Sequence, residues 1–269
     1  MAKAQRLDIA VVERGLADTR SRAKALIMAG DVLVNGQRET RAGHNVNPAD
    51  DLALREKPRF VSRGGEKLDH ALTSFEIDVA GHIAADLGAS TGGFTDCLLQ
   101  RGVARVDAVD VGYGQLDERV RTDRRVVSME RTNARYLEDL PEPVDLVVID
   151  VSFISLALIF PVVDRILKPG GTCVPLIKPQ FEAGRDDVGK GGVVRDPAVH
   201  EKVLRAAIDA ASESHLATLG LVASPLRGPA GNVEFLAHLV QGEVETRPDE
   251  DALVGAAMAE VAAVAEGAA

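Results

Sequence analysis

An α/β fold preceded by a smaller α+β module is the architecture this 269-residue sequence predicts, on three observations. From about residue 68 to 213, strand-like runs alternate with helix-period runs, the order that builds a parallel sheet covered on both faces. The last two apolar runs, LATLGLVASPL and NVEFLAHLV, are joined only by RGPAG, too short for a parallel crossover, so they should pair antiparallel. Ahead of residue 58, two short helical patterns lead into a small hairpin.

In chain order, LDIAVVERG carries apolar residues at helical spacing and is closed by Gly15. TRSRAKALIMAG opens on the cap candidates Thr19 and Ser21 and stops at Gly30. DVLVNGQ is a short strand entering an Asn35-Gly36 turn, and NPADDLALRE supplies another turn and strand. In the larger part, strands are expected near 83–88, 105–110, 126–129, 144–150 and 171–178, with helices near 92–101, 115–121, 155–167 and 197–213. Five parallel strands followed by an antiparallel pair make a Rossmann-like seven-stranded sheet, the pattern of methyltransferases rather than of ordinary dinucleotide-binding domains. The expected boundaries are 1–57 for the small module, 58–67 for a linker, 68–241 for the sheet domain and 242–269 for an acidic, Ala-rich tail. That tail should be peripheral or disordered. The Gly-rich, charged stretch 180–196, QFEAGRDDVGKGGVVRD, is too long for a tight connection and is expected to be a mobile substrate loop.

Composition narrows the function. Aromatics are 3 % of residues and Trp is absent, so the core must be aliphatic. No apolar run approaches the roughly 18 residues of a membrane span, and the N-terminus lacks a signal-peptide pattern, so a cytoplasmic setting is expected. Cys97 and Cys173 are far apart, and the histidines show no HxxxH or HxH pair, so no metal is expected. The net charge of −10 is unevenly spread: residues 1–67 carry a net +4 and the remainder a net −14. An electropositive module on an acidic body suits local recognition of a polyanion. Arg20, Arg22 and Lys24 fall at the start of the second helix, where free backbone N–H groups add to the attraction for phosphate.

A cofactor turn is visible in AADLGASTGGFTDCLL, residues 84–99, a strand, a glycine turn and a helix start. Gly88, Gly92 and Gly93 are expected to let the backbone pass close to a ligand, with Asp86, Ser90 and Phe94 in the same stretch. Asp110 ends the next strand, where an acid binds a ribose diol in doubly wound folds. The order DxGxxxGG departs from GxGxxG, and an acid beside the turn suits a ligand bearing an ammonium group better than a pyrophosphate. S-adenosylmethionine meets both demands. Glu130 and Asn133, in ERTN at the end of the third strand, are placed to flank its adenine.

A second constellation converges on the same edge. Asp150 ends VDLVVID and Lys178 ends CVPLIK, fixed in direction by Pro179. Glu234 begins the last strand, which runs the other way and so starts at that edge, while Lys67 in SRGGEKL arrives just ahead of the first strand. A lysine is costly to bury unpaired. Two lysines with two carboxylates can orient a ribose hydroxyl and relieve it of its proton before it attacks a methyl sulfonium. Lys178, crowded by Lys67 and partly desolvated, is the expected base, with Asp150 and Glu234 holding the ammonium groups.

TRSRAKALIMAGDVLVNGQ resembles the S-four-type RNA-binding module, named for a small-subunit ribosomal protein. SRGGEKL, DLGASTGGFT, VDVGYGQL, ERTNAR, DVSFISL, IKPQFE and GNVEF resemble the hemolysin-A-like (TlyA) family of rRNA 2'-O-methyltransferases, whose catalytic domain is similar to FtsJ. The resemblance runs to about residue 240 and carries the family's Lys–Asp–Lys–Glu set onto Lys67, Asp150, Lys178 and Glu234. It implies methylation of cytidine ribose in rRNA, with ribosomal RNA or ribosomal subunits as partners. Arg6, Arg20, Arg22 and Lys24 in the small module, and Arg63, Arg131, Arg135 and Lys190 beyond it, are the expected RNA contacts. Two other readings compete: a non-catalytic ribosome-assembly factor, and a hemolysin-type membrane-active protein. The lack of a membrane-length apolar segment and of a strongly basic amphipathic helix counts against the second.

Overall fold

The computed structural model describes residues 4–55 and 58–266 and divides the chain into two units, Met1–Pro58 and Arg59–Ala269. In the first, β1 (Gln5–Arg6) and α1 (Leu7–Glu13) precede α2 (Arg20–Ala29), β2 (Val32–Val34), β3 (Gln37–Glu39), β4 (Asn45–Val46) and β5 (Leu52–Leu54). The Thr19 hydroxyl accepts from Arg22 N at 3.2 Å to open α2, and Gly30 closes it at φ 72°. Asn35 and Gly36 both take positive φ, the demand of a two-residue hairpin between β2 and β3. Leu7, Ala10 and Val11 of α1 and Ala23 and Ile27 of α2 pack with Val32 and Val46. Asp8 is fully buried beside this cluster; hydrogen bonds from Arg6, and then from Arg20, hold its carboxyl down at about 2.

The second unit runs α3 (Arg63–Ser74), β6 (Ile83–Leu87), α4 (Gly93–Gln100), β7 (Arg105–Val109), α5 (Glu118–Arg121), β8 (Val126–Met129), β9 (Val144–Ile149), α6 (Phe160–Ile166), β10 (Leu167–Ile177), α7 (Pro179–Glu182), α8 (Pro197–Glu213), β11 (Leu216–Ala223), β12 (Phe235–Gln241) and α9 (Glu250–Glu266). Its seven strands lie in the order β11-β12-β10-β9-β6-β7-β8. The five from β10 to β8 are parallel, and β12 inserts antiparallel to both β10 and β11. This is the Rossmann-like seven-stranded arrangement. Pleat alternation sends Val147 and Ile149 of β9 into one core layer with Phe160, Val163, Leu204 and Ile208. Leu146 and Val148 go to the opposite layer with Leu68, Leu72, Leu98 and Val106. Both faces are therefore aliphatic, as parallel strands under helices require.

Three segments differ from expectation. Residues 63–67 are not linker but the first turns of α3, anchored by buried Leu68, Ala71 and Leu72. Gly64-Gly65 reads as a loop in sequence, yet it serves a helix contact: a Cβ on Gly93 would come within 3.1 Å of Gly65 N, so the N-termini of α3 and α4 meet through glycine. The tail is not peripheral either. Residues 250–266 form α9, whose Val254 and Ala257 are buried in the first core layer, and the Glu260 carboxylate accepts from Ala223 N at 2.7 Å. Stretch 180–196, finally, is folded into α7, a 3-10 turn at Arg185–Asp187 and a bridge between Gly189 and Val193.

Candidate active site

The site is built where β6, β9 and β10 end and β12 begins. Asp150 N donates to Leu87 O at 2.9 Å, tying the exit of β9 to the exit of β6. Gly88 follows at φ 90°, and a Cβ there would lie 2.8 Å from Asp150 O. The close approach it permits is thus to the end of β9. Gly92 faces Val120 and Leu116, at 3.0 and 3.1 Å from a would-be Cβ, and Gly93 faces Ser62 and Gly65. These glycines let protein segments meet, although Gly88 and Gly93 also line clefts.

Lys178 Nζ lies 2.6 Å from Asp150 Oδ1 and donates to Val151 O at 2.8 Å and Ser152 Oγ at 3.0 Å. Lys67 Nζ donates to Glu234 Oε2, and Gln180 Nε2 to Glu234 Oε1 at 3.5 Å. Lys67, Lys178 and Glu234 are buried, while the Asp150 side chain keeps 28 % exposure. Each lysine thus has its own carboxylate, Lys178 with Asp150 and Lys67 with Glu234. Burial pushes the Asp150 carboxyl above its ordinary value, against the pull of the Lys178 ammonium. All four residues line one cleft of about 560 Å³, with Arg63 and Phe94 also on its wall.

A second cleft of about 520 Å³ shares Gly88, Ser90, Asp150, Ser152 and Phe153 with the first and extends to Asp110 and Asn133. The Asp110 carboxylate accepts from Ser90 N at 2.8 Å and Gly112 N at 2.6 Å, so it is held rigidly at the exit of β7. Asn133 caps the 3-10 turn at Ala134–Tyr136 through Arg135 N, 3.0 Å away. Glu130 accepts from Gly114 N at 2.8 Å and lies outside the cleft lining. Asp86 is fully buried: its Oδ2 accepts from Thr95 Oγ1 at 2.6 Å, its Oδ1 has no partner, and burial pushes its carboxyl up to about 7.

Among the expected RNA contacts, Arg6 and Arg20 are committed to Asp8, while Arg22, Lys24 and Lys190 are exposed. Arg131 stacks over Tyr113 at 4.4 Å and Arg135 over Tyr136 at 5.5 Å. Sequence reasoning missed Ser152, Phe153, Gln180, Phe181 and Asn232, all on the first cleft. Phe153 is 90 % exposed at φ 64°, and its ring centroid lies 4.9 Å from that of Phe181. The signal for it was compositional: a Phe just past a strand end, in a chain with so few aromatics. Among the described residues, no cluster of three His, Cys, Asp or Glu side chains could hold a metal, and no helix is long and apolar enough to cross a membrane.

A family model described as FtsJ-like methyltransferase matches residues 60–241. The chain belongs to the FtsJ-like methyltransferase family. A model described as S4 domain matches residues 5–52 of this FtsJ-like chain. It is 50 % identical over 245 residues to YqxC of Bacillus subtilis, named as a candidate rRNA methyltransferase, covering 88 % of this chain and 86 % of that one. It is 46 % identical over 243 residues to the 16S/23S rRNA (cytidine-2'-O)-methyltransferase TlyA of Mycobacterium tuberculosis, covering 89 % and 91 %. A solved structure of a hemolysin-named protein from Streptococcus thermophilus is 43 % identical, covers 98 % of both chains and superposes with a TM-score of 0.73.

Proposed function

We propose that this FtsJ-like chain is an S-adenosylmethionine-dependent methyltransferase acting on the 2'-hydroxyl of cytidine ribose in ribosomal RNA. The observation that carries the reading is the pair of buried lysine–carboxylate contacts, Lys178–Asp150 and Lys67–Glu234, set against a second cleft that holds Asp110. The residues there fit the cofactor. Asp110 is fixed where a ribose diol would be met, Asn133 lines the same cleft, and the cleft volume suits a ligand of that size. When bound, S-adenosylmethionine supplies an electrophilic methyl group on a sulfonium.

The acceptor ribose occupies the first cleft. Lys178 passes one ammonium proton to the adjoining Asp150 carboxylate, whose proton affinity burial raises, and the amine so formed takes the proton of the ribose 2'-hydroxyl. Lys67 and Glu234, locked to each other, fix the opposite side of the hydroxyl. The names of the relatives from M. tuberculosis and B. subtilis support rRNA as substrate, and the match of residues 5–52 to the S4 domain supports RNA recognition.

The test is transfer of a tritiated methyl group to rRNA and to ribosomal subunits, followed by mapping of alkali-resistant 2'-O-methyl positions. Label confined to cytidine ribose is expected. Label on a base, or none on any rRNA form, would overturn the reading.

A further inference from the structure

Asn232 is 1 % exposed, and its side chain reaches across to another loop. Its Oδ1 accepts from Val194 N at 2.9 Å and its Nδ2 donates to Gly192 O at 2.9 Å, the pair of bonds a neighbouring strand would make. The same segment is held a second time: His200 Nε2, on a ring that is 3 % exposed, donates to Val194 O at 3.2 Å. That imidazole packs edge-on to Phe235 at 5.9 Å. Two buried side chains therefore grip residues 192–194, Asn232 from just before Glu234 and His200 from α8, whose ring packs on Phe235 just after it.

Within the segment itself, two backbone hydrogen bonds close the turn, Gly189 N to Val193 O at 3.2 Å and Gly192 N to Gly189 O at 3.1 Å. Gly191 and Gly192 have φ of 82° and 73°, and a Cβ on either would meet nothing within 4 Å. A glycine pair in open space does not keep one conformation unaided. Yet Gly191, Gly192, Asn232 and Glu234 all line the cleft assigned to the acceptor.

We propose that Asn232 is a positioning residue that clasps the Gly189–Val194 segment to the start of β12, so that the cleft wall and the Lys67–Glu234 pair are set as one piece. The inference rests on reading that cleft as the methyl-acceptor site. Asn232 acts through backbone groups of the segment, without touching the methyl donor. Loss of the clasp lets the wall move while Glu234 keeps its place in the strand, and misplacement by an ångström costs about a hundredfold in rate.

The experiment uses the full chain with Asn232→Ala and the equal-sized Asn232→Asp, which keeps the acceptor for Val194 N and loses the donor to Gly192 O. Trypsin reports on the segment through Arg185, Lys190 and Arg195, which flank or lie within it. In Asn232→Ala, cleavage at these sites should rise by about tenfold or more as two hydrogen bonds are lost. Single-turnover methylation should fall by about a hundredfold, with S-adenosylhomocysteine affinity close to wild type. Asn232→Asp should fall between, and it carries the comparison if the alanine variant does not fold. Unchanged cleavage overturns the clasp whatever the activity, and so does wild-type turnover despite faster cleavage. A wild-type protein that methylates no RNA overturns the acceptor reading, while cleavage, which needs no substrate, still judges the clasp.

Discussion

Lys178 donates to a carboxylate, a carbonyl and a hydroxyl, and this geometry fixes how its substitutions should behave. Lys178→Ala should lower single-turnover methyl transfer by about a hundred- to ten-thousand-fold, the usual contribution of a general base, with cofactor affinity nearly unchanged. Lys178→Arg should fail almost as badly, because a guanidinium cannot surrender its proton and its planar fork does not match three acceptors arranged around an ammonium. An active arginine variant would mean that the side chain only positions charge. Asp86 gives a separate test in the protein without cofactor. Its carboxyl, raised by burial to about 7, binds a proton in the folded state that the unfolded chain releases near its ordinary value. Its contribution to stability is therefore full at low pH and is lost as pH rises through about 7. Asp86→Asn removes this dependence, so the gain in melting temperature over wild type should be larger at pH 8 than at pH 5; equal gains at both would refute the assignment. The four tetrad residues were legible because each sits at a strand end or helix start whose position the apolar pattern reveals. Phe153 left only its scarcity as an aromatic past a strand end, since nothing in the sequence marks its positive φ, and Asn232 was hidden because its partners are backbone groups of a distant loop.

Among elements, α9 was the least legible. Several of the tail's acidic residues precede or open the helix, where Glu250 and Asp251 favour its N-terminus and Asp251 pairs with Arg205 at 2.6 Å. Averaged over the whole tail, this charge conceals the apolar stripe of Leu253, Val254, Ala257, Met258 and Val261, which has helical spacing. The stripe covers β11, and removing residues from Glu250 onward uncovers it. Truncation should lower the urea midpoint by the equivalent of about 3 kcal/mol, on the scale of burying one or two large aliphatic side chains. An unchanged midpoint would make α9 an ornament. α3 shows the opposite difficulty: Gly64-Gly65 suggests a linker, and only the buried face of Leu68, Ala71 and Leu72 identifies the helix.

At the scale of the whole molecule, the charge divides as the two roles would require, with a net positive N-terminal part and a strongly negative remainder. We propose that the first unit supplies phosphate contacts and the second the chemistry. Removing residues 1–57 should leave S-adenosylhomocysteine binding intact and weaken rRNA binding, and the binding of the full chain should fall steeply with salt. Full methylation by the truncated protein would refute the division of labour. Strand direction was readable down to the antiparallel pair, since a short connection forbids a crossover. The insertion of β12 between β10 and β11 is a tertiary outcome that spacing alone leaves open.

That insertion has a consequence for a chain made from its N-terminus. β11 touches the sheet only through β12, so residues 216–223 have no partner until the strand after them has been synthesised. Until then β10 also presents an open, apolar edge, a template for pairing with other chains. Lys67 meanwhile waits 167 residues for Glu234. A nascent or prematurely terminated polypeptide ending anywhere before β12 thus has neither a closed sheet nor an assembled set of the residues proposed to be catalytic. Nonsense mutations in the second unit ahead of β12 should be complete nulls, and the fragments they leave should be recovered in the insoluble fraction.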